Sequence, residues 1–283
     1  MIDTFTRLTF ESHTDYLAFI EGEHARRSAL WRWQQIIGNS AERIKSPGIC
    51  DLCTRQTDYT IQPRPVDNST FPHAADWWYG LMCGCGMNSL NRAVYRAFLD
   101  TGGNAASRIY HVGHHSPFSR WLAKRHPNIT TSQFETGRAP GEIANGIRYE
   151  DLTGLSFESD QFDYILATEV LEHIPDYRAA LREMARVLTP GGRALLTFPW
   201  LGNAYEHLIR AELRADGTIN HILPPEYHGD PANPDGILSF RAFGWKILDE
   251  MRANGFPEAK AHFIFAPVHG HMTLTSPIII GCH

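Results

Sequence analysis

One continuous segment, residues 148–200, constrains the fold of this chain more than any other part of it. In order, it reads as an acidic turn, a buried strand, an amphipathic helix, a Pro-Gly-Gly turn and a second buried strand. The first strand, at residues 162–167, has the apolar run FDYILA, which is typical of a strand buried on both faces. This order predicts half of an open parallel sheet, and such sheets bind ligands at the carboxyl ends of their strands.

The rest of the C-terminal part continues the alternation of strands and helices. The helix in the segment above has apolar residues three and four apart, and we expect Pro190-Gly191-Gly192 to end it. Two last apolar runs predict a closing antiparallel hairpin, and residues 201–237 interrupt the pattern as an insertion. The predicted elements are strands at 108–113, 128–134, 162–167 and 194–198, a brief strand or turn at 148–152, and helices at 118–125, 177–188 and 243–254.

The N-terminal part has a different organisation. Residues 15–44 place apolar positions at helical spacing, which predicts a helical hairpin, with a substrate lid or a dimer arm as the alternatives. Proline-rich polar residues follow, before a helix predicted at 88–99. We therefore predict two domains. Residues 1–105 would form a small helical and zinc-ribbon-like region, and residues 106–283 an α/β domain with a Rossmann-like, doubly wound, mostly parallel sheet.

Two close pairs of cysteines lie in the N-terminal part, Cys50-x-x-Cys53 and Cys83-x-Cys85. Two such pairs on small turns suit a tetrahedral structural zinc ion, and unliganded thiols are the alternative. The chain has five cysteines and no N-terminal apolar stretch of the kind found in secretion signals. We therefore expect a reducing, cytoplasmic location.

The segment 148–200 also resembles the class I S-adenosylmethionine-dependent methyltransferases. The resemblance lies in FDYI, EVLEHIPD, LREMARVL and PGG, which occur here in the order seen in one branch of that family. It implies a Rossmann-like fold, S-adenosylmethionine as cofactor and a glycine-rich loop after the first strand. Here that loop reads Val112-Gly113-His114-His115-Ser116-Pro117, so Gly113 alone matches the family's glycines.

The same resemblance implies cofactor contacts at the ends of the strands. Gln133, with Glu135 close behind, stands where the family has an acidic residue for the ribose hydroxyls. Asp151 stands where the family reads the adenine amino group, and Thr168 begins the rim that faces the methyl donor. The residues that we expect to line the cofactor are Gly113, His114, Ser116, Gln133, Glu135, Asp151, Leu152 and Thr168.

The insertion carries PPEYHGDP, which resembles a segment of methyltransferase-like proteins associated with surface-glycan and small-molecule synthesis. We expect His228 to act as a base, oriented by Asp230 or Glu226, and His173 to be a second acid/base candidate. A second hypothesis is that these side chains, together with the histidines of the first loop, bind a catalytic metal ion. A third is that they only stabilise the loop.

The expected activity is biosynthetic methyl transfer from S-adenosylmethionine to an oxygen or nitrogen of a small-molecule or sugar-like acceptor. The alternatives are a non-methylating enzyme with a histidine-rich, metal-bound cleft on the same fold, and a zinc-bearing RNA-modifying or RNA-binding protein. A net charge of −5 argues against a nucleic-acid partner, and no apolar run predicts a membrane span. The sequence leaves open whether the chain forms a homodimer.

Overall fold

The computed structural model describes residues 6–230 and 233–283, and the chain divides into two compact units. The first comprises Met1–Ala97 and His262–Ser276, and the second comprises Phe98–Ala261 and Pro277–His283. The boundary predicted near residue 105 stays a prediction.

The first unit combines helices with short antiparallel ladders. Its elements are β1 (Thr6–Phe10), α1 (His13–Gly22), α2 (His24–Gly38), β2 (Ile44–Cys50), β3 (Arg55–Ile61), β4 (Arg64–Pro65), β5 (His73–Ala74) and the start of α3 (Ser89–Asp100). The helical hairpin predicted over residues 15–44 ends earlier than expected, because α2 ends at Gly38 and Ile44 begins a strand. Pro47 cannot donate within a helix, whereas β2 pairs with β3 along its whole length.

The second unit carries the parallel strands. Its first half contains β6 (Ile109–Val112), α4 (Pro117–Ala123), β7 (Ile129–Ser132), β8 (Ile143–Ala144), β9 (Ile147–Arg148), β10 (Phe162–Thr168), a 3-10 turn (Leu171–His173), α5 (Tyr177–Val187) and β11 (Leu188–Thr197). It continues with β12 (Leu208–Ile209), β13 (Ala211–Leu213), β14 (Ile219–His221), β15 (Tyr227–Asp230), β16 (Asn233–Leu238), β17 (Arg241–Ala242), α6 (Lys246–Ala253) and β18 (Glu258–Phe265). The last residues of β18 and the 3-10 turn after it (Pro267–His269) belong to the first unit, and the last strand, β19 (Ile278–Cys282), belongs to the second.

The central sheet of this unit is mostly parallel, as predicted. The order is β7-β6-β10-β11, with all four strands parallel, and β19 then lies antiparallel to β11. β18 lies beside β19. Chain order reverses between β6 and β10, so the loops after these two strands meet at the point where open α/β sheets bind ligands.

The sequence predicted that the Pro-Gly-Gly turn ends the helix before it, but the helix ends earlier. Helix α5 ends at Val187, and Leu188 is already extended and pairs with Phe162 of β10. Gly191 and Gly192 lie within β11, where they exchange backbone hydrogen bonds with His283. Strand pairing with β10 therefore begins before the turn residues are reached.

The insertion is also more regular than its sequence indicated. β13 pairs with β14, β15 pairs with β16, and β12 pairs with β17, all antiparallel. The β13–β14 turn contains Asp216-Gly217, in which Gly217 has a positive φ of 82° and Asp216 Oδ1 accepts hydrogen bonds from Thr218. An Asp-Gly pair is a strong hairpin signal. Among the described residues, no helix combines the length and the apolar composition needed to cross a bilayer.

Candidate functional site

The loop after β6 is the first part of the candidate cofactor site. Gly113 has a φ of 118°, which L-residues rarely adopt, and, apart from Gly113 and its two chain neighbours, no residue has an atom within 4 Å of the position that a Cβ would take. The Nδ1 atom of His114 lies 2.8 Å from Oγ1 of Thr131, so this imidazole is held against β7. Burial lowers the pKa of His114. His115 is exposed, and the loop therefore keeps open space at its glycine.

Ser116 and Thr168 lie at the ends of elements on this edge of the sheet. Ser116 is the N-cap of α4, and its Oγ accepts a hydrogen bond from the backbone of Ser119 at 2.9 Å. Thr168 is the last residue of β10 and pairs with Thr197 of β11. Ser116 therefore follows β6 and Thr168 ends β10, the two parallel strands on either side of the switch in chain order.

The segment after β7 carries the remaining predicted cofactor residues. Gln133 directly follows the strand and forms a parallel bridge with Tyr149. Asp151 comes two residues later, and its Oδ1 accepts two hydrogen bonds of 2.8 Å from Thr153. Leu152 is buried, whereas Glu135 is exposed and pairs with a nearby arginine.

Glu150, which the sequence did not single out as a separate site residue, supports this loop from inside. Its side chain is fully buried and accepts a hydrogen bond from Nε of Arg148 at 2.7 Å. It also accepts hydrogen bonds from the backbone N–H and the hydroxyl of Ser156, at 2.9 and 2.6 Å. Glu150 therefore fixes the turn that presents Asp151.

A second cluster forms after β10, where the rim turn meets the insertion. Oε1 of Glu172 lies 3.6 Å from Nε2 of His173 and 3.4 Å from Nδ1 of His228. The Glu172 side chain is fully buried, and the two histidine side chains are 12% and 25% exposed. Ligand atoms of all three residues lie within 4.8 Å of one another.

Each histidine of this cluster has a partner on its outer nitrogen. Nδ1 of His173 lies 2.8 Å from the carbonyl oxygen of Leu238, and Nε2 of His228 lies 3.3 Å from Oε1 of Glu226. Arg210 in turn pairs with Glu226 at 2.5 Å. Both rings are therefore oriented with their other nitrogen towards the Glu172 carboxylate.

Charge within the cluster acts on the imidazole of the insertion. The Glu172 carboxylate raises the pKa of His228, burial opposes this shift, and Glu226 adds to the increase. Glu169, which follows β10 with a positive φ of 54°, contributes a smaller increase. The cluster is thus an acidic environment at the carboxyl end of a central parallel strand.

The structure brings together His173, His228 and Glu226 of the predicted catalytic set. The side chain of Asp230 lies outside the part of the chain that the structure describes. The sequence suggested Glu172 as the acid/base partner of the adjacent His173 but not as a site residue of its own, and the structure places it between His173 and His228. Among the described residues, the metal-ligating group contains neither His114 nor His115, so the hypothesis that the first-loop histidines complete this cluster is wrong.

In the first unit, the two cysteine pairs also come together. Cys50 and Cys53 lie at the turn of the β2–β3 hairpin, and Cys83 and Cys85 lie on a second tight turn. The Sγ atoms of Cys50 and Cys85, and those of Cys53 and Cys83, are 4.0 Å apart. A hydrogen bond from Cys50 lowers the pKa of Cys85, whereas burial raises that of Cys83.

Part of the second unit is similar to a family of known proteins. The methyltransferase domain family matches residues 117–196, from the start of α4 to the end of β11. The match begins one residue after Ser116, so it excludes the altered loop that contains Gly113.

Individual relatives cover a part of the chain. A demethylmenaquinone methyltransferase of Staphylococcus carnosus is 49% identical over 36% of this chain and 42% of its own length. A ubiquinone biosynthesis O-methyltransferase of Aeromonas salmonicida is 28% identical over 34% of this chain and 45% of its own. The chain thus spans less than half the length of these relatives. An S-adenosylmethionine-dependent methyltransferase structure from Mesorhizobium loti has 17% identity and a TM-score of 0.41, and covers 67% of this chain and 96% of its own.

Proposed function

We propose that this chain transfers a methyl group from S-adenosylmethionine to an oxygen or nitrogen of a small-molecule acceptor. The match to the methyltransferase domain family over residues 117–196 is the observation that carries the proposal. The names of the relatives favour a small-molecule acceptor, and the PPEYHGDP segment of the insertion favours a sugar-like one.

The residues of the second unit fit a bound S-adenosylmethionine. The open space at Gly113 allows close approach of a ligand to the backbone, and His114 is held by Thr131. We assign contacts with the adenine to Asp151 and contacts with the ribose to Gln133. S-adenosylmethionine, when bound, supplies a methyl group on a positively charged sulfur atom.

The acceptor side of the proposed site is the cluster of Glu172, His173 and His228. These side chains lie beyond the end of β10, on the same edge of the sheet as Gly113. We assign to this cluster the orientation of the acceptor and the removal of its proton, with Glu226 orienting His228. Positioning two reactants in line contributes much of the rate in such displacements.

Calorimetric titration with S-adenosylmethionine and S-adenosylhomocysteine tests the cofactor assignment. We expect micromolar binding of both, weakened at least tenfold by Asp151→Ala, since a buried hydrogen bond to a charged group contributes roughly 1.5–3 kcal/mol. Glu158→Ala, which removes an exposed carboxylate of the same segment, is the matched control. If neither compound binds the wild-type chain, the proposal fails and the non-methylating alternative takes its place.

We also propose a structural zinc ion bound by Cys50, Cys53, Cys83 and Cys85. Sulfur ligands about 2.3 Å from a tetrahedral zinc ion lie about 3.8 Å apart, close to the 4.0 Å of the two measured pairs. Cys83→Ser should release zinc and lower the melting temperature, whereas Cys282→Ser should change neither. Elemental analysis and thermal unfolding measure both, and zinc content unaffected by Cys83→Ser would contradict the assignment.

A further inference from the structure

The Glu172 carboxylate lacks the partners that a buried charge needs. Its side chain is fully buried, and neither of its oxygens accepts a hydrogen bond from the described residues. The nitrogens of the two imidazoles that face it lie 3.4 and 3.6 Å from its Oε1 atom, and both distances exceed a normal hydrogen-bond length. Burying an ionised carboxylate in this way is unfavourable unless a cation completes the site.

The distances from the Glu172 carboxylate to the two imidazole nitrogens suit one ion bound by all three residues. Nitrogen and oxygen ligands about 2.0–2.1 Å from a single ion, at tetrahedral or somewhat wider angles, are about 3.3–3.6 Å apart. The distances from Glu172 to His173 and His228 fall within that interval. Two imidazoles and one carboxylate form a ligand set that binds first-row divalent metals and leaves coordination positions open.

The outer contacts of the two histidines are those that metal-binding histidines make. The carbonyl oxygen of Leu238 can only accept, so Nδ1 of His173 donates and Nε2 carries the free lone pair. The carboxylate of Glu226 likewise requires a proton on Nε2 of His228, which leaves the lone pair of a neutral ring on Nδ1. Both lone pairs then face Glu172.

The backbone around the cluster is fixed from several sides. The amide of Phe240 donates to the carbonyl of Glu172, and the amide of Ser239 donates to that of Glu226, both at 2.8 Å. The buried guanidinium of Arg241 donates to the carbonyls of Leu171, Ile174 and Pro175, which flank Glu172 and His173. The three ligand atoms are therefore preorganised before any ion binds.

We propose that Glu172, His173 and His228 bind a divalent first-row transition-metal ion, whose open positions take an oxygen atom of the acceptor. The site stands on the geometry above, whereas its role rests on the proposed methyl transfer. In that role the ion lowers the pKa of the bound acceptor hydroxyl, so that its proton leaves to solvent and His228 holds the ion instead of acting as the base itself. The oxygen then forms its bond to the methyl carbon as the carbon–sulfur bond breaks, and S-adenosylhomocysteine is released.

Equilibrium dialysis of the full-length, metal-stripped chain against Co²⁺ tests the site without using the cofactor. Thiolate-bound Co²⁺ gives a charge-transfer band in the near ultraviolet, so occupancy of the cysteine cluster can be followed separately. We expect one further equivalent of Co²⁺ that adds nothing to this band. Binding of this equivalent should weaken at least about tenfold in Glu172→Gln and in the more exposed His228→Ala.

The matched control is His221→Ala, which removes an exposed imidazole from the same insertion and should leave Co²⁺ binding unchanged. Circular dichroism and thermal unfolding establish whether each variant folds. If the buried Glu172→Gln variant does not fold, the more exposed His228→Ala variant still tests the site. Absence of the further equivalent, or an equivalent unaffected by both variants, would overturn the site and leave an ion pair between Glu172 and His228.

Acetohydroxamate, a bidentate oxygen ligand, tests the open positions. It should change the visible spectrum of the Co²⁺-loaded wild-type chain and leave that of the Co²⁺-treated His228→Ala variant unchanged. An unchanged wild-type spectrum would overturn the assignment of an acceptor oxygen to the ion. Because neither experiment contains S-adenosylmethionine, failure here and failure of the proposed methyl transfer are separate results.

Discussion

At the scale of single residues, buried arginines fix the backbone at both candidate sites. Arg92 is fully buried and donates to the carbonyls of Leu81 and Met87, on either side of the second cysteine turn, and to that of Gly270. Its guanidinium also lies 4.6 Å from the centre of the Tyr59 ring. A planar guanidinium group can donate hydrogen bonds to several fixed carbonyls at once, which a compact ammonium group cannot do in the same geometry.

Arg92→Lys should therefore destabilise the chain although it keeps the charge. A lysine can satisfy fewer of the three buried carbonyls and leaves the rest unpaired, so we expect a loss of roughly 2–4 kcal/mol in the free energy of unfolding. Urea denaturation followed by circular dichroism measures this loss. Arg64→Lys, at an exposed position of the same unit, is the control, and equal midpoints for the two variants would contradict the prediction.

Single residues also mark the limit of what the sequence could predict about the candidate site. His173, His228 and Glu226 could be predicted as candidate acid/base residues, because histidines and carboxylates are recognisable in the turn after β10 and in the insertion from the sequence alone. Glu172 was predictable only as a partner of the adjacent His173, because its central place comes from complete burial and from the approach of His228, more than 50 positions away in the sequence. Chain folding creates that environment, and neither composition nor spacing encodes it locally.

At the scale of elements, the parallel strands were predictable and the insertion was not. Runs such as FDYILA are apolar on both faces, so the strand is recognised without its neighbours. The short strands at Leu208–Ile209 and Tyr227–Asp230 have too few residues to show a period, and their apolar side chains Leu208 and Tyr227 are exposed. Their pairing depends on turns and on distant partners, which sequence periodicity does not report.

Helices α5 and α6 are linked by a buried polar network around Glu250. The carboxylate accepts hydrogen bonds from Tyr177 at 2.6 Å, from Arg178 at 2.5 Å and from Nε2 of His207 at 2.9 Å. Nδ1 of His207 accepts from the backbone of Gly244, which places the ring proton on Nε2, facing Glu250. Burial raises the pKa of Glu250, but these hydrogen bonds outweigh it and lower the pKa to about 2.

This network should make the free energy of unfolding decrease at low pH. Because the pKa in the folded chain is below the ordinary 4.5, the contribution of Glu250 is complete above pH 4.5 and is lost as the pH falls towards about 2. The shift corresponds to about 3 kcal/mol, which Glu250→Gln should remove at pH 7. Denaturant unfolding of both proteins between pH 7 and 2.5 checks this. The difference in free energy of unfolding between the wild-type chain and Glu250→Gln should shrink as the pH falls, and a difference that stays constant would contradict the prediction. Glu258→Gln, at an exposed position, is the control.

At the scale of the whole molecule, the distribution of charge bears on the class of partner. The chain has 26 lysines and arginines against 31 aspartates and glutamates. Many cations of the described residues lie beside carboxylates, for example Arg108 with Asp163 and Lys246 with Glu206. Paired cations contribute little to an extended positive field, and such a field is what brings a nucleic-acid backbone to a protein.

We therefore predict that ribosomal RNA binds this chain more weakly than about 100 μM at physiological salt, the weak end of sequence-independent binding. Fluorescence anisotropy with a labelled RNA fragment, measured across a salt series, checks this prediction. A chain that neutralised several phosphates would show an affinity that falls steeply with salt, because each neutralised phosphate releases counterions. Micromolar binding with such a slope would contradict the prediction and revive the RNA-modifying alternative. Weak binding at every salt concentration would instead direct the search for an acceptor to small molecules.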